Sequence, residues 1–196
     1  MFSPSQIITT LRLKNHFVLE ADQQPYNLNI IGIRNHNSQP NTFDDHIVLL
    51  WQYKHQWNIR LYPATTDPGT YHLTNPASVT GTAILKEGQY LRSFQLGLHQ
   101  GRYKALVQCL PVTVIRDPNR DTNPDFDTPY EERGIFGINI HRASPTATST
   151  RVDKWSAGCQ VIANHAHYDE FISLCSQSAK YWGKLFSYTL INSNDL

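Results

Sequence analysis

The sequence predicts a mostly β, α+β chain that folds as one domain with a helix near each end. Three observations carry that expectation. The chain has 196 residues, 40% hydrophobic and 11% aromatic, which is enough for one sizeable core and argues against disorder. Its 11 prolines and 10 glycines, set among many Thr and Tyr, favour strands and turns over long helices. Short apolar runs bounded by turn residues recur along the length, whereas one-face helical spacing is found near the two ends.

Ser3 and Pro4 read as a helix cap and first helical position, followed by Ile7, Ile8 and Leu11 on one face. This predicts a helix ending near Asn15, inside an N-terminal segment (1–25) packed on the rest. Residues 28–34 read as a strand. Runs 45–53 and 57–65, split by Lys54-His55-Gln56, predict a β-hairpin, and Asp67-Pro68-Gly69 marks a turn. Shorter strands are expected over 82–85, 89–96, 105–108 and 112–116. The Asp-, Asn- and Pro-rich stretch 117–132 reads as an exposed loop, 134–140 as a strand and 142–153 as a second loop. Phe171, Leu174, Cys175 and Ala179 share one face of 167–180, the clearest helix, and 185–191 closes as a strand. No repeat or linker divides the chain, so a single domain over 1–196 is expected.

Lys+Arg 17 against Asp+Glu 16 leaves a formal charge of +1, which argues against a nucleic-acid partner held by phosphate contacts. No stretch approaches roughly 18 consecutive apolar residues, so no membrane insertion is expected. Met1-Phe2-Ser3-Pro4-Ser5 lacks the basic, apolar and small-residue succession of a secretion signal. The expectation is therefore synthesis in the cytoplasm, with a separate delivery or secretion machinery for any work in the periplasm or cell wall. Cys109, Cys159 and Cys175 cannot all pair within one chain, and there is no CxxC. A reducing environment, or one free thiol, is the simpler account.

The chemistry concentrates in Gly137-Ile138-Asn139-Ile140-His141, a loop, and Trp155-Ser156-Ala157-Gly158-Cys159-Gln160-Val161. A thiol with an ordinary pKa near ~8.5 is only about 3% ionised at pH 7, so a nucleophilic cysteine needs an imidazole to take its proton. A His at one strand end and a Cys on the next suits that exchange. Gly158 allows the tight turn that aims amide N–H groups at a developing oxyanion. His and Cys separated by a loop are also compatible with a buried structural thiol.

His141, fourteen residues, then Ser156-x-Gly158-Cys159 resembles the signature of the L,D-transpeptidase catalytic domain, the YkuD-like family. Pro68-Gly69-Thr70-Tyr71 is similar to an upstream turn of that family, so the likeness runs from about Trp57 to Val161. The resemblance implies a single-domain β-sandwich or capped barrel, and a cysteine acyl-enzyme acting on peptidoglycan stem peptides. It implies Cys159 as nucleophile and His141 as base. Ser156 would shape the loop or hold the imidazole, and Gly158 would supply the oxyanion turn. Two departures stand out: Ala157 replaces a second His, and Gln160-Val161 replaces an apolar residue followed by Arg or Asn. Gln160, Arg142, Arg151 and Trp155 are therefore the candidate substrate contacts, the arginines because a guanidinium matches a carboxylate bidentately.

No cofactor or metal is expected. His165-Ala166-His167 with Asp169 and Glu170 has a ligand-like look, but it falls where a helix begins and its acids suit a helix N-terminus. Cys175 and Cys109 read as core, and Trp51 and Trp57 as packing residues around the hairpin. The expected function is thus a cysteine-dependent peptidoglycan peptidase, a lytic L,D-carboxypeptidase or endopeptidase. A cross-linking L,D-transpeptidase, an inactive peptidoglycan-binding module and a zinc peptidase are the rivals. Hydrolysis is favoured because no anchor or wall-binding repeat is visible in the sequence.

Overall fold

The computed structural model describes residues 2–196. Helix α1 (Pro4–Leu13) opens with a capping box: Ser3 Oγ accepts the Gln6 N–H, and the Gln6 side chain accepts the Ser3 N–H. It stops two residues before the expected end, at a turn where Asn15 has φ +56°. The strands are β1 (Asn29–Arg34), β2 (Asp45–Tyr53), β3 (Gln56–Thr65), β4 (Thr82–Leu85), β5 (Gly88–His99) and β6 (Tyr103–Gln108). They continue with β7 (Val112–Asp117), β8 (Glu131–Gly134), β9 (Ile140–Arg142), β10 (Gln160–Ile162) and β11 (Leu185–Asn192). Helices α2 (Thr70–Thr74) and α3 (His165–Trp182) complete the order with a short 3-10 turn, Ser193–Asp195.

Eight strands follow one another round a circuit, β1-β11-β5-β6-β9-β10-β3-β2, and β4-β7-β8 form a separate small sheet. The circuit is thinnest where Leu106 of β6 meets Ile140 of β9 through a single register pair. Strand alternation assigns the side chains. Ile30, Leu49, Tyr62, Phe94, Leu106, Ile140, Ile162 and Tyr188 point inward with Phe171 and Cys175 of α3, forming the main core. Ile31, Ile33, Val48, Leu50 and Ile191, of opposite parity, face outward and are covered by Ile7, Ile8 and Leu11 of α1. β1 is therefore buried at all six positions, because both of its faces carry a core. The result is one mostly β, α+β domain, barrel-like in its larger sheet. No helix among the described residues is long and apolar enough to cross a membrane.

The β2–β3 hairpin forms as expected. Its two turn residues, Lys54 and His55, both have positive φ (50° and 61°), the geometry whose twist suits a two-residue hairpin loop. Several expectations need correction. Residues 134–140 are not one strand: β8 ends at Gly134, and the chain runs without ladder pairing until β9 begins at Ile140. Gly137 breaks that run at φ +75°, and the Gln108 side chain accepts the Phe136 and Ile138 N–H groups where a strand neighbour would otherwise be needed. The loop 117–132 gives its last two residues to β8, and the turn after Asp67-Pro68-Gly69 continues into the short helix α2. Trp51 and Cys175 are core, but Cys109 is only partly buried, at the end of β6, with its sulfur on the Arg92 carbonyl.

Candidate active site

β9 and β10 run parallel, with Gln160 opposite Ile140 and Val161 opposite His141. Because Ile140 and Ile162 point into the core, alternation turns His141, Val161 and Cys159 to the other face. The two residues singled out in the sequence therefore share one face of neighbouring strands. The Cys159 sulfur, partly exposed, accepts the Asn139 N–H at 3.4 Å and lies 3.4 Å from the Gly137 carbonyl. The His141 imidazole is held by its Nδ1, 2.8 Å from the Arg142 carbonyl and 3.2 Å from the Tyr103 hydroxyl. A carbonyl oxygen only accepts, so the ring proton sits on Nδ1 and the lone pair on Nε2. No hydrogen bond joins the sulfur to the imidazole in this structure; each is held by its own backbone partners.

Burial sets the charge state. It pushes the Cys159 thiol up to about 11, against the smaller opposing pull of the Asn139 N–H. It also pushes His141 down to about 3, helped by His99 and Arg142 and opposed by the Arg142 carbonyl. At neutral pH both groups therefore rest uncharged, a neutral thiol and a neutral imidazole.

Three residues of this cluster escaped the sequence reading. His99 stacks on His141 with ring centroids 4.0 Å apart, and Tyr103 contacts it through its hydroxyl. The Asn139 amide lies 3.1 Å from His99 Nδ1, where it donates to the ring and fixes the tautomer of this second imidazole. Asn139 was findable, since it lies two residues before His141 and so on the same face. His99 and Tyr103 arrive from the β5–β6 hairpin, where they are register partners. Only the long-range pairing of β6 with β9 brings them here.

The loop before Cys159 is tightly framed. The buried Ser156 hydroxyl donates to the Cys159 carbonyl at 2.8 Å and accepts the Gly158 N–H at 3.1 Å. Ser156 thus shapes the loop, and the hydrogen bonds of its hydroxyl stay within it. Gly158 has φ +118°, and a Cβ there would sit 2.2 Å from the Ala83 carbonyl oxygen. The Gly158 N–H itself is taken by the Ser156 hydroxyl, so what the glycine contributes here is the turn. The Cys159 N–H, by contrast, has no hydrogen-bond acceptor among the described residues. Gly69 packs against the same loop, donating its N–H to the Ser156 carbonyl at 2.9 Å, and Asn41 holds Val152 and Asp153. Gly158→Ala combines left-handed strain with backbone overlap, and is expected to lower stability by about 3 kcal/mol or more. A urea transition with an unchanged midpoint would disprove that account.

The candidate substrate contacts divide. Gln160 is fully buried and turned inward: it accepts the Tyr188 hydroxyl at 2.8 Å and reaches the Thr66 and Gly158 carbonyls. It braces the interior and does not meet a ligand. Behind it, Arg34 and Asp67 form a buried ion pair at 2.9 Å, and Asp45 accepts both the Thr66 N–H and its hydroxyl. Arg151 is exposed, with Asp153 3.7 Å away, a pair that contributes little. Trp155 stands 41% exposed beside the loop. Arg142 is half-buried, its guanidinium 4.1 Å above the Tyr103 ring. Next to the loop before Cys159 lies a cleft of about 220 Å³, whose lining includes Phe136 and Ala157, the neighbours of Gly137 and Gly158.

His165 and His167 lie in the first turn of α3, where Asn164 caps the His167 N–H at 3.0 Å and Glu170 pairs with Arg60. No group of three or more potential metal-ligating side chains comes together among the described residues. Comparison of the chain with protein-family models, with curated proteins and with solved structures finds no match.

Proposed function

We propose that the chain is a cysteine-dependent enzyme that processes peptidoglycan stem peptides through an acyl-enzyme, with hydrolysis as the outcome. The observation that carries this reading is the shared face of β9 and β10. Cys159 and His141 lie on that face, and His141 has its Nδ1–H fixed to a carbonyl so that Nε2 is left as the base. In the acylation step Cys159 Sγ attacks the peptide carbonyl carbon while its proton passes to His141 Nε2. The C–N bond then breaks and the leaving amine takes that proton, giving a thioester. Water attacks the thioester, releasing a carboxylic acid and the free thiol; an amine in place of water would give the cross-linking outcome of a transpeptidase. The Cys159 N–H is the donor available to the oxyanion. The choice of stem peptides rests on the resemblance of His141…Ser156-x-Gly158-Cys159 to the L,D-transpeptidase catalytic domain.

A second reading, a binding module without turnover, draws support from the neutral, burial-raised thiol and from the missing sulfur–imidazole hydrogen bond. Incubation with purified muropeptides followed by product masses separates the two. The enzyme reading expects loss of a terminal D-amino acid or cleavage of a cross-link, absent in Cys159→Ala. Exchange of the terminal amino acid would indicate transpeptidation instead. Unchanged masses together with retained muropeptide binding would establish the module.

A further inference from the structure

We propose that His99 holds the water that resolves the thioester: the Asn139 amide fixes it as the Nε2–H tautomer, and its stack on His141 sets that N–H beside the free lone pair of the base. This deepens the enzyme reading and rests on it. The tautomers of the two rings follow from their partners. Asn139 Oδ1 accepts the Gln108 N–H at 3.0 Å, so the other end of the amide, Nδ2, is the atom 3.1 Å from His99 Nδ1. An amide nitrogen only donates, so His99 carries its lone pair on Nδ1 and its proton on Nε2. His141 has the opposite arrangement, its Nδ1–H on the Arg142 carbonyl. Burial, with Arg102 and Arg142 nearby, pushes His99 below its ordinary 6.5, as burial, His99 and Arg142 do for His141, so both rings are neutral at neutral pH.

The stacked rings thus offer one donor and one acceptor. Neither Nε2 has a hydrogen-bond partner among the described residues, and neither is sealed from solvent: the fully buried side-chain polar atoms left without a partner are the Tyr62 hydroxyl and His165 Nδ1. The ring centroids are 4.0 Å apart and the planes 23° from parallel. A ring nitrogen lies close to its ring centre, so rings stacked this closely keep their Nε2 atoms within the span of two hydrogen bonds that meet at one water. Asn139 ties the pair to the sulfur, since its main-chain N–H lies on Cys159 Sγ at 3.4 Å while its side chain holds His99. In the resolving step the water accepts the His99 Nε2–H and gives a proton to His141 Nε2 as its oxygen attacks the thioester carbonyl carbon. The C–S bond breaks, Cys159 Sγ takes that proton from His141, and a carboxylic acid leaves. Water has two lone pairs, one for the N–H and one for the attack. An amine nitrogen has one and cannot serve both, so the His99 N–H favours hydrolysis over transfer.

The test has two readouts. Nitrogen NMR of the wild-type chain with labelled imidazoles, at neutral pH, is expected to find opposite tautomers, Nε2–H on His99 and Nδ1–H on His141. The same tautomer in both rings would overturn the proposal whatever the activity. In the second readout a purified muropeptide is offered together with a free D-amino acid as competing amine. Hydrolysis and exchange products are followed by mass, and the acyl-enzyme by the mass of the intact protein. His99→Phe keeps a flat ring on His141 and removes the N–H. It is expected to lower the hydrolysis-to-exchange ratio about tenfold and to accumulate acyl-enzyme, with acylation near the wild-type rate. An unchanged ratio, acylation and deacylation slowed alike, or exchange without hydrolysis in the wild type would overturn the role of His99 and leave the enzyme reading standing. A wild type that gives neither product nor acyl-enzyme would overturn both.

Discussion

Replacing His141 with alanine is expected to lower turnover on a stem-peptide substrate by about 10⁴-fold while leaving the pH profile of Cys159 alkylation by iodoacetamide almost unchanged. The two halves of this result have one cause. With its thiol pushed up to about 11 by burial, Cys159 holds only about one part in 10⁴ of thiolate at neutral pH. Alkylation, which needs the thiolate, should therefore climb about tenfold per pH unit from neutrality upward. His141, held down to about 3, supplies no resting imidazolium to change that slope. In the proposed mechanism the imidazole acts only when a bound carbonyl is attacked and the proton must leave, so turnover would depend on it and resting reactivity would not. An alkylation plateau below pH 8 in the wild type would show an ion pair and disprove the neutral resting state. Full turnover in His141→Ala would remove the base.

The second large effect lies behind the site. Arg34→Met is expected to cost about 3–5 kcal/mol of stability, because it leaves buried carboxylates without their cation. Arg34 donates to Thr66 Oγ1, to the Thr66 and Leu85 carbonyls and to Asp67, so one substitution also orphans several acceptors. The pH dependence has a definite sign. Burial and the neighbouring Asp67 raise Asp45 from 3.8 to about 7, so the folded state holds its proton more tightly. That contribution is full below pH 3.8 and is lost as pH rises through about 7. His141 works the other way, from 6.5 to about 3: its contribution is full above pH 6.5 and is lost as pH falls towards 3. Without Arg34, ionised Asp45 loses its countercharge, so the deficit should be larger at about pH 8 than at about pH 5. Urea transitions at both values measure it. An equal deficit at the two pH values would mean that Asp45 is not the titrating group.

Much of this architecture is readable from local pattern. The short apolar run in Leu-Asn-Ile-Ile-Gly-Ile-Arg marks a strand, and Ser3-Pro4 marks a helix start, because β-branched runs and cap chemistry are properties of a few consecutive residues. Strand parity put Cys159 and His141 on one face once their strands were paired. What the letters did not reveal came from distant partners. Gln160 looked like a ligand contact by its position after Cys159, yet Tyr188 of β11 claims it from inside. Residues 134–140 looked like a strand, but the Gln108 side chain takes over two amide donors and the ladder does not form. Gly158 read as an oxyanion turn because glycine permits many conformations. The Ser156 hydroxyl and the Ala83 carbonyl decide which one is used.

The wall of the larger sheet joins residues 30 and 188 as neighbours, since β1 lies between β2 and β11 and pairs with β11 in parallel register. During synthesis the hairpin of β2 and β3 can dock on β1 early, but the opposite edge of β1 must wait until β11 is made. Such high contact order slows folding, and it leaves an apolar strand with unpaired amides for the duration. Ile191 also belongs to the patch that receives α1, so the first helix cannot seat fully until the same moment. The nascent chain is therefore exposed to strand-edge aggregation until late in translation, and holding chaperones should raise its yield more than they would for a protein built from local hairpins.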